Sequence, residues 1–294
     1  MASHSGLDVL VIGEALIDIV ETGSWATEHV GGSPANVALG LGRRGVRCAL
    51  LTQLGEDPRG AAVVDHLEES GVQVLSASFT LPHTSTAVAH IATDGQAQYE
   101  FDLIWDALPA VHVPTPRVLH TGSIAAFLEP GAASVRLALQ ASRAAHITFD
   151  PNIRPALMPP HPEALQVFEA TAALATAVKM SDQDAAWLYP HLSPDEVIDI
   201  VLSHGPRLVA ITMGSEGAIV ASGQDRVRIP AVSVAAVDTI GAGDTFMASL
   251  IHSLLHDPTI GDRAGLERLG ADAVHAAAIT VSRAGADLPW AREL

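Results

Sequence analysis

Cysteine, lysine and long apolar runs are all scarce in this chain. Among 294 residues the one cysteine is Cys48, which excludes an internal disulfide and suits a reducing cytosol. Lys179 is the only lysine, and the remaining cations are Arg. Sixteen Lys and Arg stand against 33 Asp and Glu, a formal net charge of −17. That balance argues against nucleic acid and anionic membranes as partners, since both need a basic face. It leaves room for a nucleotide, whose phosphates can be held by backbone dipoles and Mg²⁺ in a locally positive site. The N-terminus, Met-Ala-Ser-His-Ser-Gly, has no basic n-region, and its apolar run Leu7 to Ile12 is too short for a signal or membrane segment. A cytoplasmic protein is expected. There is no Gly-Lys-Ser/Thr P-loop, no His-Glu-x-x-His and no Cys-rich metal motif, and the 14 His form no ligand spacing.

What is present is a large apolar fraction, 48%, enough for a sizeable core. No repeat, low-complexity tract or domain linker interrupts it. The length suits one large α/β domain or two small ones. Leu7 to Ile12, Val72 to Phe79, Arg117 to Thr121, His146 to Asp150, Ala175 to Met180 and Leu208 to Thr212 read as strands. Asp57 to Ser70, Pro130 to Ala144 and Arg263 to Ser282 read as helices. Strands alternating with helices predict a mostly parallel sheet covered on both faces. Thr86 to Thr93 and Gln96 to Phe101 flank Asp94-Gly95, a strong hairpin signal. A second hairpin is expected around Gly223-Gln224.

The chain is organised around Asp238-Thr239-Ile240-Gly241-Ala242-Gly243-Asp244-Thr245-Phe246. The apolar stretch Ile229 to Val237 precedes it; Phe246, Met247, Leu250, Ile251, Leu254 and Leu255 follow at helical spacing. The run is therefore a loop opening a helix. Gly241 and Gly243 let the backbone bend sharply and approach a ligand, and the first helical turn presents free N–H groups and partial positive charge. Together they form an anion seat. Asp244 either complements the helix dipole or acts as a general base beside a transferring phosphoryl group; local chemistry leaves both open.

Gly31-Gly32-Ser33-Pro34-Ala35-Asn36 opens another helix, with Ser33 suited to the N-cap and Pro34 to the first helical position. Asp18 sits among apolar residues of Gly13-Glu14-Ala15-Leu16-Ile17-Asp18-Ile19-Val20, either exposed on a half-buried strand or accepting hydrogen bonds from a polyol. Gly40-Leu41-Gly42-Arg43-Arg44-Gly45 matches the dinucleotide pattern Gly-x-Gly-x-x-Gly. It lies at the tail of a helix rather than after a strand, so Gly45 is a helix stop and a dinucleotide oxidoreductase is disfavoured. Asp150-Pro151-Asn152-Ile153-Arg154-Pro155 places a carboxylate, an amide and a guanidinium at the C-terminal end of a strand, where open α/β sheets bind ligands; a polar loop fixed by two prolines is the plainer reading. Ser181 fits an N-cap, with Asp182 and Asp184 in the first turn. Lys179 is either a phosphate contact or a strand-end surface residue.

The run Asp-Thr-x-Gly-Ala-Gly-Asp-Thr-Phe resembles the C-terminal signature of the ribokinase-like (PfkB) carbohydrate kinases, and Gly-Gly-x-Pro-Ala-Asn-x-Ala their N-terminal one. The two lie about 200 positions apart in the expected order, a coincidence that chance rarely produces. Ser249 departs from the Ala or Gly usual there. The resemblance implies an α/β ribokinase-like three-layer sandwich, a single kinase domain over 1–294. A small β-sheet lid is implied near 15–30 and 86–102. Gly241, Ala242 and Gly243 would form the anion hole and Asp244 would be the base. Asp18, Gly31, Gly32 and Asn36 would hold the sugar, with Arg154 reaching substrate or phosphate. Thr212, Gly214 and Gly217 would contact the ATP tail. Ser181, Asp184 and Asn152 would lie near phosphates and metal, with Asp150 holding Mg²⁺ through water. Asp238 would lie near a monovalent cation such as K⁺. His275 falls where relatives enclose adenine, and an exposed or otherwise satisfied His is the plainer reading. A homodimer through the lid is also implied.

Gly13 to Asp18, Gly-Gly-Ser-Pro-Ala-Asn and Asp-Pro-Asn-Ile-Arg-Pro together are most similar to the fructokinase-like subgroup. The expected activity is transfer of the ATP γ-phosphate to a primary hydroxyl of a small neutral sugar, fructose first. No Arg or Lys falls between Thr80 and Pro116, where a sugar acid would need a cation. A 2-keto-3-deoxygluconate kinase, kept open by Arg154, and a ribose or nucleoside kinase are the alternatives in class. A non-catalytic sugar-binding relative is the alternative outside it, and would be expected to lack Asp244.

Overall fold

The computed structural model describes residues 6–22, 25–91, 97–223, 225–257 and 261–294. Its strands are β1 (Val9–Ile12), β2 (Leu16–Thr22), β3 (Trp25–Gly31), β4 (Cys48–Leu51), β5 (Leu54–Gly55), β6 (Val72–Val74), β7 (Phe79–Leu81), β8 (Thr86–Ile91), β9 (Ala97–Asp102), β10 (Val118–Gly122), β11 (His146–Asp150), β12 (Ala177–Ser181), β13 (Leu208–Thr212), β14 (Ala218–Ser222) and β15 (Asp225–Ile229). The helices are α1 (Ser33–Arg43), α2 (Pro58–Glu69), α3 (Gly131–Ala141), α4 (His161–Ala172), α5 (Asp182–Leu188), α6 (Pro194–Ser203), α7 (Ala242–His256) and α8 (Arg263–Val281).

A nine-stranded sheet runs in the order β15-β14-β13-β12-β11-β10-β1-β4-β6. The seven strands from β13 to β6 are parallel, and β14 and β15 add antiparallel at one edge. Its strands are apolar on both faces because both are covered. Along β13, Leu208 and Ala210 pack into one core with α1, α7 and α8, while Val209 and Ile211 pack into the opposite core with α4, α5 and α6. The result is three layers. A separate four-stranded sheet, β3-β2-β8-β9, stands beside them, with α2 packed against β2 and β3. The β8–β9 pairing is antiparallel as expected; its Asp94-Gly95 turn lies outside the described residues, as does Gln224 in the β14–β15 turn.

Several boundaries differ from the sequence reading. The expected strand over Val72 to Phe79 is broken: β6 ends at Val74, a 3₁₀ turn takes Ser76–Ser78, and β7 leaves the large sheet to pair with β5. Asp57 is the N-cap of α2, its side chain accepting from Gly60 N–H at 2.7 Å, rather than a helical residue. The apolar stretch Ile229 to Val237 begins with the buried last residue of β15 and runs on as a largely exposed coil. Helices α4 and α6 were not anticipated individually.

Candidate active site

The turn before α7 is held from three sides. Gly241 is its N-cap in the left-handed region, φ 77°, and a Cβ there would come within 2.9 Å of Ala286; only glycine combines that angle with that approach. Asp238 accepts Ile240 N–H at 3.0 Å and Gly285 N–H at 2.9 Å, tying the turn to the segment after α8. These amides, Ile240 first, hold its carboxyl below the usual range against a desolvation cost. Thr245 Oγ1 donates back to the Gly241 carbonyl at 2.9 Å. The first turn of α7 thereby stands at the C-terminal edge of the sheet with N–H groups that lack intrahelical partners, that of Ala242 donating loosely to the Thr239 carbonyl at 3.3 Å.

Asp244 is buried in that first turn. Asn36 Nδ2 donates to its Oδ2 at 2.8 Å and Ser33 Oγ to its Oδ1 at 2.7 Å. This overturns the N-cap assignment of Ser33: Gly32 is the N-cap of α1, φ 103°, Ser33 and Pro34 are its first two residues, and no side chain caps it. The hydroxyl is drawn across to Asp244 instead, because the two helices open toward each other from neighbouring positions on one face of the sheet, where α1 and α7 pack together. Both signatures, more than 200 residues apart in sequence, meet in these two bonds.

Asp18 stands on β2 directly over Gly31, where any Cβ would overlap its Oδ2. Solvent reaches it, yet the surrounding protein is close enough that desolvation raises its pKa, opposed by the fields of Arg154 and His29. Arg154 is exposed, and its Nη1 donates to Asn152 Oδ1 at 2.8 Å. Glu14 lies beneath Gly32: a Cβ on that glycine would be 2.5 Å from the Glu14 carbonyl oxygen.

Deeper in the cleft, Asp150 ends β11 fully buried and pairs with Lys179 Nζ at 2.9 Å. Burial pushes the Asp150 carboxyl up to about 6; Lys179 opposes, and Asp184 and Asp244 add to the rise. Desolvation works to lower the Lys179 pKa, but the same three carboxylates outweigh it and raise the value. Lys179 is therefore no surface residue. Its Nζ lies 2.8 Å from where a Cβ on Gly243 would stand, against the glycine-bent turn that opens α7. Ser181 caps α5 in a full capping box with Asp184, and Asp184 Oδ1 also accepts Ile153 N–H at 2.8 Å. Asp184 so ties the 150–154 segment to the start of α5. Asn152 adopts a φ of 37° within that segment.

On the other side of Gly243 a cavity of about 510 Å³ opens. Thr212, Gly214, Gly217 and Thr239 line one part of it, and Phe246, Ala277 and Val281 an apolar part. Gly217, φ 90°, has no room for a side chain against the Ile229 carbonyl. His275 is exposed and does not line the cavity. The Gly40–Gly45 pattern serves packing: a Cβ on Gly40 would be 2.6 Å from Leu288, one on Gly42 would overlap the Ser70 carbonyl, and Gly45 ends α1 at φ 76°. Ser249 is buried and accepts a hydrogen bond from Arg44 at 3.2 Å. Among the described residues no group of three or more His, Cys, Asp or Glu could hold a metal ion unaided, and no helix is long and apolar enough to cross a membrane.

Sequence reasoning missed three residues here. Ser33 looked like a cap because its type and place before Pro34 are those of a cap. Lys179 carried one signal, its uniqueness among the cations. Glu14 carried another, an acid in an apolar run with no visible partner.

The architecture has counterparts among solved kinases. A fructokinase from Vibrio cholerae in fructose, ADP and calcium ion bound form matches 95% of this chain and 94% of its own at 25% identity, with a TM-score of 0.83. An uncharacterized sugar kinase from Pyrococcus horikoshii in complex with ATP matches 97% and 96% at 26% identity, TM-score 0.80. Fold and sequence thus define a ribokinase-like phosphotransferase acting on a sugar. More particularly, the chain belongs to the pfkB family of carbohydrate kinases, whose model matches residues 7–292. A fructokinase from Rhizobium leguminosarum bv. trifolii is 32% identical over 271 residues, 87% of this chain and 82% of that protein.

Proposed function

We propose that residues 1–294 work as one kinase domain that transfers the γ-phosphoryl group of ATP to a primary hydroxyl of a neutral sugar, fructose in the first place. The observation that carries this is the Asn36–Asp244 hydrogen bond: a sugar-side amide touches the acid that starts the anion-binding helix. Asp18, Gly31, Gly32 and Asn36 orient the acceptor. Asp244 takes the proton of the attacking hydroxyl; each of its oxygens accepts one side-chain donor and keeps a further lone pair for substrate. The amides of Gly241, Ala242 and Gly243 stabilise charge on the transferring group. The adenosine and phosphates occupy the cavity beside Gly243, with Thr212, Gly214 and Gly217 along the phosphate tail.

Bound Mg²⁺ would neutralise charge on the phosphate oxygens. Asp150 fits an outer-sphere role toward it, since its Oδ1 is buried without a hydrogen-bond partner; Asn152 and the Ser181–Asp184 cap complete that wall. Asp238, held ionised by its amides, suits a neighbouring K⁺. The lid sheet closes the sugar side and limits water. By register, Asp18, Val20, Trp25, Tyr99 and Phe101 share one lid face. Trp25 and Tyr99 are 79% and 65% exposed there, an apolar surface suited to a second copy in a homodimer. A cytoplasmic setting agrees with the buried free thiol of Cys48.

Arg154 favours a second reading, a sugar acid such as 2-keto-3-deoxygluconate. Against it, the field of Asp18 already meets that guanidinium. An ADP-release assay over fructose, ribose, nucleosides and 2-keto-3-deoxygluconate decides. Turnover is expected with fructose or a close ketose, and Asp244→Asn should lose about 10²- to 10⁴-fold in kcat with its fold intact. Sugar binding without turnover in the wild type would instead identify a sensor.

A further inference from the structure

Glu14 is buried, titratable and unused in the phosphoryl transfer described above. It lies where the chain leaves β1 of the large sheet and enters β2 of the lid. Its Oε2 accepts the N–H of Ala125 at 3.2 Å, and the Ser123 side chain lies close enough to favour its ionised form. Its backbone carbonyl packs under Gly32, at the opening of α1. The 123–126 turn that it grips is constrained from the other side as well. Ser123 holds a φ of 54°, and a side chain on Gly122 would overlap the Asp150 carbonyl. The Ala125 carbonyl in turn accepts Trp105 Nε1–H at 3.0 Å, and Trp105 follows β9, the strand by which the chain leaves the lid. One carboxyl group therefore links the lid's entrance, the glycine pair, the turn at the sheet edge and, through Ala125, the lid's exit.

We propose that Glu14 is a positioning residue for the acceptor sugar, bracing the lid root and Gly31–Gly32 against the 123–126 turn so that Asp18 stands over the cleft. This rests on the sugar-kinase reading and adds to it a residue that touches neither sugar nor nucleotide.

Burial pushes the Glu14 carboxyl up to about 8, opposed by the Ser123 and Ala125 hydrogen bonds and by Arg154. At neutral pH it is an uncharged acid, able both to accept from Ala125 and to donate its own O–H. Ionised, it becomes a buried charge whose cationic neighbour, Arg154, is bonded to Asn152. Around it the 123–126 turn contributes Ser123 and the first turn of α1 contributes Ser33 and Pro34, none of which titrates. The adjoining strands carry Asp18, raised, and Asp150, raised to about 6 and so ionised before Glu14. The bonds it accepts favour the ionised form, but burial outweighs them, so the packed lid root is at its tightest below the Glu14 pKa and loosens as pH rises through it and an enclosed charge seeks water.

The test measures KM for fructose and for ATP from about pH 6.5 to about 9 in wild type, Glu14→Gln and Glu14→Ala. Glutamine keeps the size and the neutral form. The wild-type fructose KM should rise several-fold above about pH 8, while ATP KM and kcat hold. Glu14→Gln should match wild type at neutral pH and lose the alkaline rise; Glu14→Ala should show a raised fructose KM at every pH. An alkaline rise kept in Glu14→Gln, a fructose KM already raised there at neutral pH, or an unchanged KM in Glu14→Ala would each overturn the proposal. A wild type that phosphorylates sugar normally with a flat pH profile would overturn it alone. A wild type that phosphorylates no sugar would overturn the sugar-kinase reading and this inference together.

Discussion

Replacing Lys179 by methionine tests the electrostatics of the cleft floor. The pair it breaks is almost wholly enclosed, with side-chain exposures of 4% for Lys179 and 0% for Asp150 at a separation of 2.9 Å. Methionine fills most of the volume, so the principal loss is the charge. Asp150 would be left buried with Asp184 and Asp244 nearby, both of which already push its pKa upward. Removing one partner of a buried pair costs about 3–5 kcal/mol. At roughly 2–4 °C per kcal/mol for domains somewhat smaller than this one, the fall in Tm is on the order of 10 °C.

The sign of the pH dependence follows from Asp150. Its folded pKa is above the unfolded value even with Lys179 present, and losing the ammonium raises it further. The folded variant therefore holds a proton that the unfolded chain releases, and its stability falls as pH rises from the unfolded value through the folded one. Urea denaturation at about pH 5 and about pH 8 should show the Lys179→Met deficit small at the acid end and close to its full value at the alkaline end. Adding Asp150→Asn removes the stranded charge and should bring stability back to within about 1–2 kcal/mol of wild type. A deficit independent of pH, or a double variant as unstable as the single one, would refute the reasoning.

Other perturbations separate the two halves of the cleft. In Gly31→Ala the new Cβ overlaps Asp18 Oδ2, so the carboxylate must turn away. Losing one charged hydrogen bond to the sugar, about 1.5–3 kcal/mol, should raise its KM by roughly 10- to 100-fold and leave the ATP KM unchanged in initial-rate measurements. In Ala277→Phe the apolar part of the cavity beside α8 is filled. ATP KM should rise by about an order of magnitude, from contacts worth about 1–2 kcal/mol, with sugar affinity by calorimetry unaltered.

Much of the fold was legible because it rests on local rules. The apolar run Leu208 to Ile211 marks a strand buried on both faces, and β13 there and β11 at the mixed run His146 to Asp150 both stand as expected. The Gly45 stop of α1 and the capping box at Ser181 follow from backbone geometry that neighbouring residues impose. Val72 to Phe79 failed for the opposite reason. Its residue types allow one long strand, but after β6 the chain is carried out of the sheet to pair with β5, a choice made by partners distant in sequence.

The site divides in the same way. The sequence by itself determined that a glycine-bent turn opens α7 with an acid in its first turn, and that a glycine pair opens α1, because φ preference and helix polarity act over a few residues. Tertiary structure alone decided that Ser33 and Asn36 bond to Asp244, that Lys179 pairs with Asp150 against Gly243, and that Glu14 loses its charge. Those outcomes depend on which groups lose water and what then lies within a few ångströms, and the parallel crossovers that bring the strand ends to one edge settle both.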